Sequence, residues 1–181
     1  MEDKFFLDQE SKMSGFEIVD CGSFVDLMKD GRVIASIHMK IKEDKTTDID
    51  DYFMKICKIV SERATCPRKS VGCVVVKGNR IIATGYNGAP KGFNHCSQVG
   101  CMVKDNHCIR VMHAEMNALL FAGKEASDST LYCTVLPCDL CMKMAVQAGV
   151  SRIVYCEDYN KQDILWILNE ANIKVDKLVM K

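Results

Sequence analysis

Residues 130–156, TLYCTVLPCDLCMKMAVQAGVSRIVYC, read as a strand, a helix and a second strand. Thr130 to Val135 and Arg152 to Cys156 are short runs rich in β-branched, aromatic and other apolar side chains, the composition of buried strands. Between them a helix spans 138–148 and stops at Gly149, with Pro137 where a first helical turn favours it. Two strands joined by a helix lie parallel, and their crossover is right-handed. This stretch therefore places the chain in the α/β class.

The flanking sequence extends that unit in both directions. After it, residues 161–171 form a helix with Ile164, Leu165, Ile167 and Leu168 apolar, and Ile173 to Val179 is a last strand. Before it, a helix runs from His113 to Ala122 with Gly123 as its C-cap. Val71 to Val76 and Arg80 to Thr84 form a hairpin turning at Lys77-Gly78-Asn79. Thr47 or Asp48 caps a helix reaching about Ala64, with Ile49, Tyr52, Phe53, Ile56, Ile59 and Val60 at helical spacing. The order predicts a five-stranded mixed sheet, its first hairpin antiparallel and its last three strands parallel, with helices on both faces. A long loop rich in Gly, Cys and His spans 85 to about 111. Loops of that length without structure are uncommon and usually functional.

Residues 1–45 differ from the rest and form an amino-terminal extension to a domain over 46–181. Phe24 to Lys29 and Arg32 to Ile41 predict a hairpin around Asp30-Gly31, a strong turn pair. Val33, Ala35, Ile37, Met39 and Ile41 alternate as in a half-buried strand, and His38 falls on the opposite, surface face. The extension either packs on the domain or is partly disordered.

Of 181 residues, 48% are hydrophobic and 27% charged, and the formal net charge is zero. That is a globular profile without the basic excess of a dedicated nucleic-acid binder. No apolar run approaches the ~18 residues of a membrane span. The start, Met1-Glu2-Asp3-Lys4, carries no signal-peptide pattern, so a cytoplasmic location is expected. Eleven cysteines in such a chain suggest metal ligation rather than disulfides. Cys21, Cys57, Cys73, Cys133 and Cys156 are read as small buried hydrophobes.

Two motifs carry the chemistry. His113-Ala114-Glu115 and Pro137-Cys138-Asp139-Leu140-Cys141 supply one imidazole, two thiolates and a carboxylate. Three ligands leave a tetrahedral zinc one open position, the arrangement of catalytic rather than structural sites. A lone Cys-x-x-Cys would also suit a structural zinc or a redox pair. Both halves in this order are the signature of zinc nucleobase deaminases. Attack at carbon 4 of cytosine needs hydroxide at neutral pH, and zinc lowers the pKa of bound water from 15.7 to roughly 7. Glu115, two residues from His113, cannot easily reach the same metal. It is placed instead to take the water's proton, protonate ring nitrogen 3 and later protonate the leaving ammonia. Thiolates at the start of a helix gain from its dipole.

The stretch from about 52 to 159 resembles the deoxycytidylate deaminases, above all their late-competence and phage branches. The matching segments are Cys66-Pro67-Arg68-Lys69-Ser70-Val71-Gly72, Thr84-Gly85-Tyr86-Asn87-Gly88-Ala89-Pro90-Lys91-Gly92, His113-Ala114-Glu115-Met116-Asn117-Ala118 and the Cys138–Cys141 motif. The resemblance implies a cytidine-deaminase-like three-layer α/β/α sandwich. It implies hydrolysis of dCMP to dUMP and ammonia, feeding thymidylate synthesis, with His113, Cys138 and Cys141 on zinc and Glu115 as proton shuttle. Asn87, beside the target sugar, Ala114 and Arg110 are the implied substrate contacts. Gly85, Tyr86, Asn87, Gly88, Lys91 and Gly92 are the implied contacts of a regulatory nucleotide, dCTP or dTTP with magnesium. A small-molecule deoxynucleotide partner and a homo-oligomer, most similarly a hexamer, follow, with no membrane or nucleic-acid partner.

Cys66, Cys96, Cys101 and Cys108 suggest a second, structural zinc, three of them stapling one loop. Phage relatives match Cys66 and Cys96 as ligands, and the competence branch resembles this chain at Cys101 and Cys108. His95 and His107 are neighbours able to substitute. Arg63, Arg68, Lys69, Lys91, Arg110 and Lys124 lie near the motifs, and Arg110 or Lys91 is the expected phosphate contact. Phage enzymes carry an arginine where Lys124 stands. A bifunctional dCMP and dCTP deaminase, a tRNA adenosine deaminase and an inactive zinc-stabilised binding module are the competing readings. The neutral charge and the cysteine-rich insert disfavour tRNA, and an intact Glu115 disfavours the inactive module.

Overall fold

The computed structural model describes residues 16–20, 24–38, 46–104, 107–159 and 164–180. The chain divides into two compact units, Met1–Thr46 and Thr47–Lys181.

In the first unit, β1 (Phe16–Asp20), β2 (Phe24–Lys29) and β3 (Arg32–His38) form an antiparallel sheet in that order. Asp30 and Gly31 both adopt positive φ, 51° and 70°, the backbone a two-residue hairpin loop requires. The expected hairpin is thus present, with β1 as a third strand that the sequence reading lacks. Residues 39–41, assigned to the hairpin from sequence, lie outside the described residues. Val33 is 51% exposed, so the half-buried face predicted by the alternation is not formed there.

The second unit begins with α1 (Ile49–Ser61), where the Asp48 carboxylate caps the helix by accepting from the N–H of Asp50 at 2.9 Å. Then come β4 (Gly72–Lys77), β5 (Arg80–Tyr86), α2 (Cys96–Val99), β6 (Val103–Lys104) and β7 (His107–Cys108). They are followed by α3 (Ala114–Ala122), β8 (Thr130–Val135), α4 (Asp139–Gln147), β9 (Arg152–Glu157), α5 (Leu165–Glu170) and β10 (Lys174–Lys177). The β4–β5 turn is the two-residue Gly78-Asn79, both at positive φ, one residue tighter than the sequence suggests. The loop over 85–111 is not structureless: it carries α2 and the small β6–β7 hairpin.

The main sheet runs β10-β9-β8-β4-β5. β4 pairs antiparallel with β5 and β8, while β8, β9 and β10 are parallel. Central β4 is buried on both faces, which is why GCVVVK reads as a continuous apolar run. Val74 and Val76 join Phe53, Met54 and Cys57 of α1 in one core layer. Cys73 and Val75 join Ala118 of α3, Met142 and Ala145 of α4 and Ile167 of α5 in the other. The result is the expected α/β/α sandwich. Among the described residues, no helix is long and apolar enough to cross a membrane.

Candidate active site

Two helix starts build the site. β8 ends at Val135, and Leu136-Pro137 carry the chain to Cys138, the N-cap of α4; Cys141 lies in that helix's first turn. His113 is the N-cap of α3. The start of α3 is pressed against β5. A Cβ on Gly85 would lie 2.2 Å from the Ala114 carbonyl oxygen and 2.5 Å from the Ala118 nitrogen, so only glycine permits this approach. The Asn117 side-chain N–H₂ donates to the Tyr86 carbonyl at 2.8 Å and fastens the same contact.

The two helices bring His113 Nδ1 to 3.5 Å from Cys138 Sγ and 3.3 Å from Cys141 Sγ. All three ligand atoms lie within 4.8 Å of one another. Ligands about 2.0–2.3 Å from one zinc sit roughly 3.3–3.8 Å apart along a tetrahedron's edge, so the donor set fits the ion. The Cys138 thiol is pulled down to about 4, first by the hydrogen bond from Cys141 and then by that from His113. The same bond, with burial, pushes Cys141 upward. Hydrogen bonding to Cys138 raises His113.

Glu115 is 4% exposed, and burial lifts its carboxyl above its ordinary 4.5. It lines a cleft of about 280 Å³ with His113, Ala114 and Cys138. A buried carboxyl near a metal-ligand set and open to a cavity has the placement of a general acid–base group.

Asn87 also lines the cleft and is 8% exposed. Its side-chain Oδ1 accepts from the Val71 N–H and its Nδ2 donates to the Lys69 carbonyl, both at 2.8 Å. Each end of the amide retains capacity for one more bond toward the cleft. Arg110, expected on substrate, is not among the lining residues. Its guanidinium donates to the Asn94 carbonyl at 3.2 Å and reaches Met102 Sδ at 3.7 Å, stapling the loop instead. Lys91 is exposed and does not line the cleft either. Arg68 and Lys69, two of the cations near the motifs in sequence, do line it, as does Tyr159, which no sequence motif marks.

The glycine-rich segment 85–92 has packing duties. Gly85 meets α3, and Gly88 pairs with Met112 by an antiparallel bridge while lying against Thr65, whose Oγ1 would be 2.5 Å from an added Cβ. Gly92, with φ +85°, is a turn residue. Close approach to phosphate is therefore not needed to explain Gly85 or Gly88.

The structure gathers Cys96, Cys101 and Cys108, with Cys96 and Cys108 sulfurs 3.8 Å apart. Cys66, expected as a fourth member, is not in this group; it lines the cleft, as Cys108 does. Its segment precedes β4 and is tied to Asn87, whereas the other three belong to the loop's own short elements. Burial pushes the Cys96 thiol up to about 11. Cys57, Cys73 and Cys133 are buried in the sandwich as expected.

The family model for the cytidine and deoxycytidylate deaminase zinc-binding region matches residues 47–157. The ComE operon protein 2 of Bacillus subtilis is 43% identical over 133 residues, covering 71% of this chain and 70% of that one. The deoxycytidylate deaminase of Saccharomyces cerevisiae is 36% identical over 76% of this chain, which spans about half the yeast protein, 49%. The crystal structure of dCMP deaminase from cyanophage S-TIM5 in complex with dCMP and dUMP superposes with a TM-score of 0.63. It is 36% identical and covers 78% of this chain and 100% of that one.

Proposed function

The chain belongs to the cytidine and deoxycytidylate deaminase zinc-binding family, and on that premise we propose that it hydrolyses dCMP to dUMP and ammonia. The observation that carries this reading is the buried Glu115 carboxyl in a cleft shared with the converging His113, Cys138 and Cys141. Those three residues hold zinc, which when bound supplies the Lewis acidity that lets water attack at neutral pH. Glu115 takes the proton of the attacking water and delivers it to ring nitrogen 3. It then takes the proton of the new hydroxyl on carbon 4 as the carbonyl forms and passes it to the departing amine, so one carboxyl serves both halves of the exchange. Its burial suits this, because desolvation raises its carboxyl and makes it a better proton acceptor than an exposed carboxylate. Asn87 and Ala114, both in the cleft lining, contact the nucleotide.

The relatives named for deoxycytidylate favour a mononucleotide over tRNA, and the zero net charge agrees. Cys96, Cys101 and Cys108 hold a second, structural zinc in this reading, their convergence being its support. A homo-oligomer is supported by Leu120 and Phe121, 70% and 79% exposed on α3, and by Ile81 and Ile82, exposed on edge strand β5. Regulation by dCTP or dTTP with magnesium rests on the sequence of the 85–92 loop.

The test is turnover by zinc-loaded protein of dCMP, dCTP, cytidine and a tRNA. Formation of dUMP is expected; failure to convert dCMP while tRNA adenosine is deaminated rejects the reading. Conversion of dCTP to dUTP as well establishes the bifunctional alternative.

A further inference from the structure

The polar groups of Asn87 are bonded to the segment before β4. Besides the two side-chain bonds to Val71 and Lys69, its N–H donates to the Val71 carbonyl at 3.2 Å, and its carbonyl accepts from the Thr65 N–H at 3.1 Å. Its two chain neighbours are bonded instead to α3 and to the residue leading into it. The Gly88 N–H donates to the Met112 carbonyl at 3.1 Å, and the Met112 N–H donates back at 2.9 Å. On the other side, the Tyr86 carbonyl accepts from the Asn117 side chain at 2.8 Å. Met112 and Asn117 in turn flank His113, Ala114 and Glu115. The residues on either side of Asn87 are thus tied to residues on either side of the metal ligand and the carboxyl. The Met112 pair is made by backbone alone, so the Tyr86 link is the part of this bracket that needs a particular side chain.

Asn117 is half-buried in the first turn of α3, where its own N–H donates to the His113 carbonyl at 3.1 Å. It stands two residues after Glu115, about 200° around the helix. Glu115 accordingly lines the cleft, while Asn117 does not and reaches the last residue of β5. An amide suits that place, because it carries the N–H donor that a strand-end carbonyl lacks. We propose that Asn117 is a positioning residue. By holding the Tyr86 carbonyl it fixes Asn87 relative to Glu115, so the group that contacts the nucleotide and the group that moves its protons keep one spacing. This rests on the deaminase reading above. Such spacing matters, since a misplacement of about 1 Å at a reacting pair can cost on the order of 10²-fold in rate.

The test is a double-mutant cycle on zinc-loaded protein: Asn117→Ala, Asn87→Ala and both together. Initial rates give kcat and KM for dCMP, and calorimetry gives dUMP affinity. Asn117→Ala should lower kcat/KM by ~5–30-fold, the range for one lost hydrogen bond that leaves a partner unsatisfied. In the Asn87→Ala background the same change should cost less than about 2-fold, because residues acting through one another are not additive. The loss should divide between kcat and KM as it does in Asn87→Ala, which a general loosening of α3 would not reproduce. Asn117→Asp, of the same shape but without the donor, should do at least as much harm. Zinc content should stay at the natural level in every variant. Equal losses in both backgrounds, an unchanged kcat/KM, or a loss that tracks zinc release from His113 would each overturn the proposal. A crystal structure of Asn117→Ala gives a readout that needs no ligand: Asn87 should be displaced relative to Glu115, and an unmoved Asn87 overturns the proposal. If no cytosine compound is turned over, yet Asn87 is displaced and dUMP affinity shows the same coupling, the positioning role stands and the deaminase reading falls. If dCMP is turned over and the two losses simply add, the positioning role falls and the deaminase reading stands.

Discussion

The groups His113–Cys138–Cys141 and Cys96–Cys101–Cys108 have similar donors and differ in what holds them. The first sits at the starts of two nine-residue helices packed on the buried strands of the sandwich. The second hangs on a four-residue helix and a hairpin of two-residue strands. The first is prearranged by packing; the second has too little packing of its own, and a bound metal would supply what its elements lack. The first also has a buried carboxyl two residues from a ligand, which the second does not. Reactivity and stapling are thus separated by scaffolding more than by ligand type.

The largest expected effect lies on the reactive side. Glu115→Gln should lower kcat by about 10³–10⁴-fold, the upper range for a general acid–base group, while zinc content and thermal stability stay near those of the natural protein. Loss of zinc in that variant would mean that Glu115 is a ligand, and the contrast between the two groups would blur.

Next is the packing that prearranges the first group. Gly85→Ala puts a methyl against the α3 backbone, which cannot yield as a side-chain tip could. We expect a cost of about 1–3 kcal/mol from overpacking, together with weaker zinc retention at His113. A variant with unaltered melting temperature and zinc affinity would show that the helix start is not set by this contact.

The second group should answer in the opposite way. Cys101→Ser should reduce zinc from two ions per chain to one, measured by elemental analysis, and speed proteolysis within 94–110. It should lower Tm, at about 2–4 °C per kcal/mol lost for a chain of this size, with a smaller change in kcat. Active natural protein containing a single zinc would remove the second site.

The smallest effect concerns the sandwich away from both groups. Arg152 forks onto the Asp50 carboxylate at 2.7 and 2.8 Å, and its Nε meets Asp176 at 2.7 Å. The Arg152 hydrogen bonds hold Asp50 below its ordinary 3.8. A carboxyl depressed in the folded state contributes stability that is present above the unfolded value and lost as pH falls through the folded one. Unfolding free energy should therefore decline below about pH 4 in the natural protein. Asp50→Asn should flatten that part of the curve while zinc content at neutral pH is retained. An unchanged acid limb would place the acid sensitivity elsewhere.

The sandwich was legible because its strands and helices are long enough to show a period and end at Gly, Pro or Asp. The catalytic ligands were legible because His, Glu and Cys at fixed offsets on helix starts have few other uses. Shorter elements were not: α2, β6 and β7 hold too few residues to display any repeat. β1 left only a partial trace, since Phe16 and Ile18 flank Glu17 but Val19 breaks the alternation. Of the cations near the motifs in sequence, Arg68 and Lys69 line the cleft while Arg110 and Lys91 do not. That placement depends on β4 lying beside β5 and on the bonds of Asn87, neither visible as a pattern. Gly85 is an implied contact of a regulatory nucleotide in the resemblance, while in the fold the absence of its side chain lets α3 approach.

The sheet order has a consequence for synthesis. β4 pairs with β8, and the core around α1 is completed by Tyr132 and Val154, with the Asp50–Arg152 bond spanning 102 residues. A ribosome adding about 5–20 residues per second therefore releases α1 roughly 5–20 s before its partners exist. During that interval Phe53 and Met54 have no finished strand layer to cover them. Nascent chains stalled between α1 and β8 would be the species most in need of a chaperone.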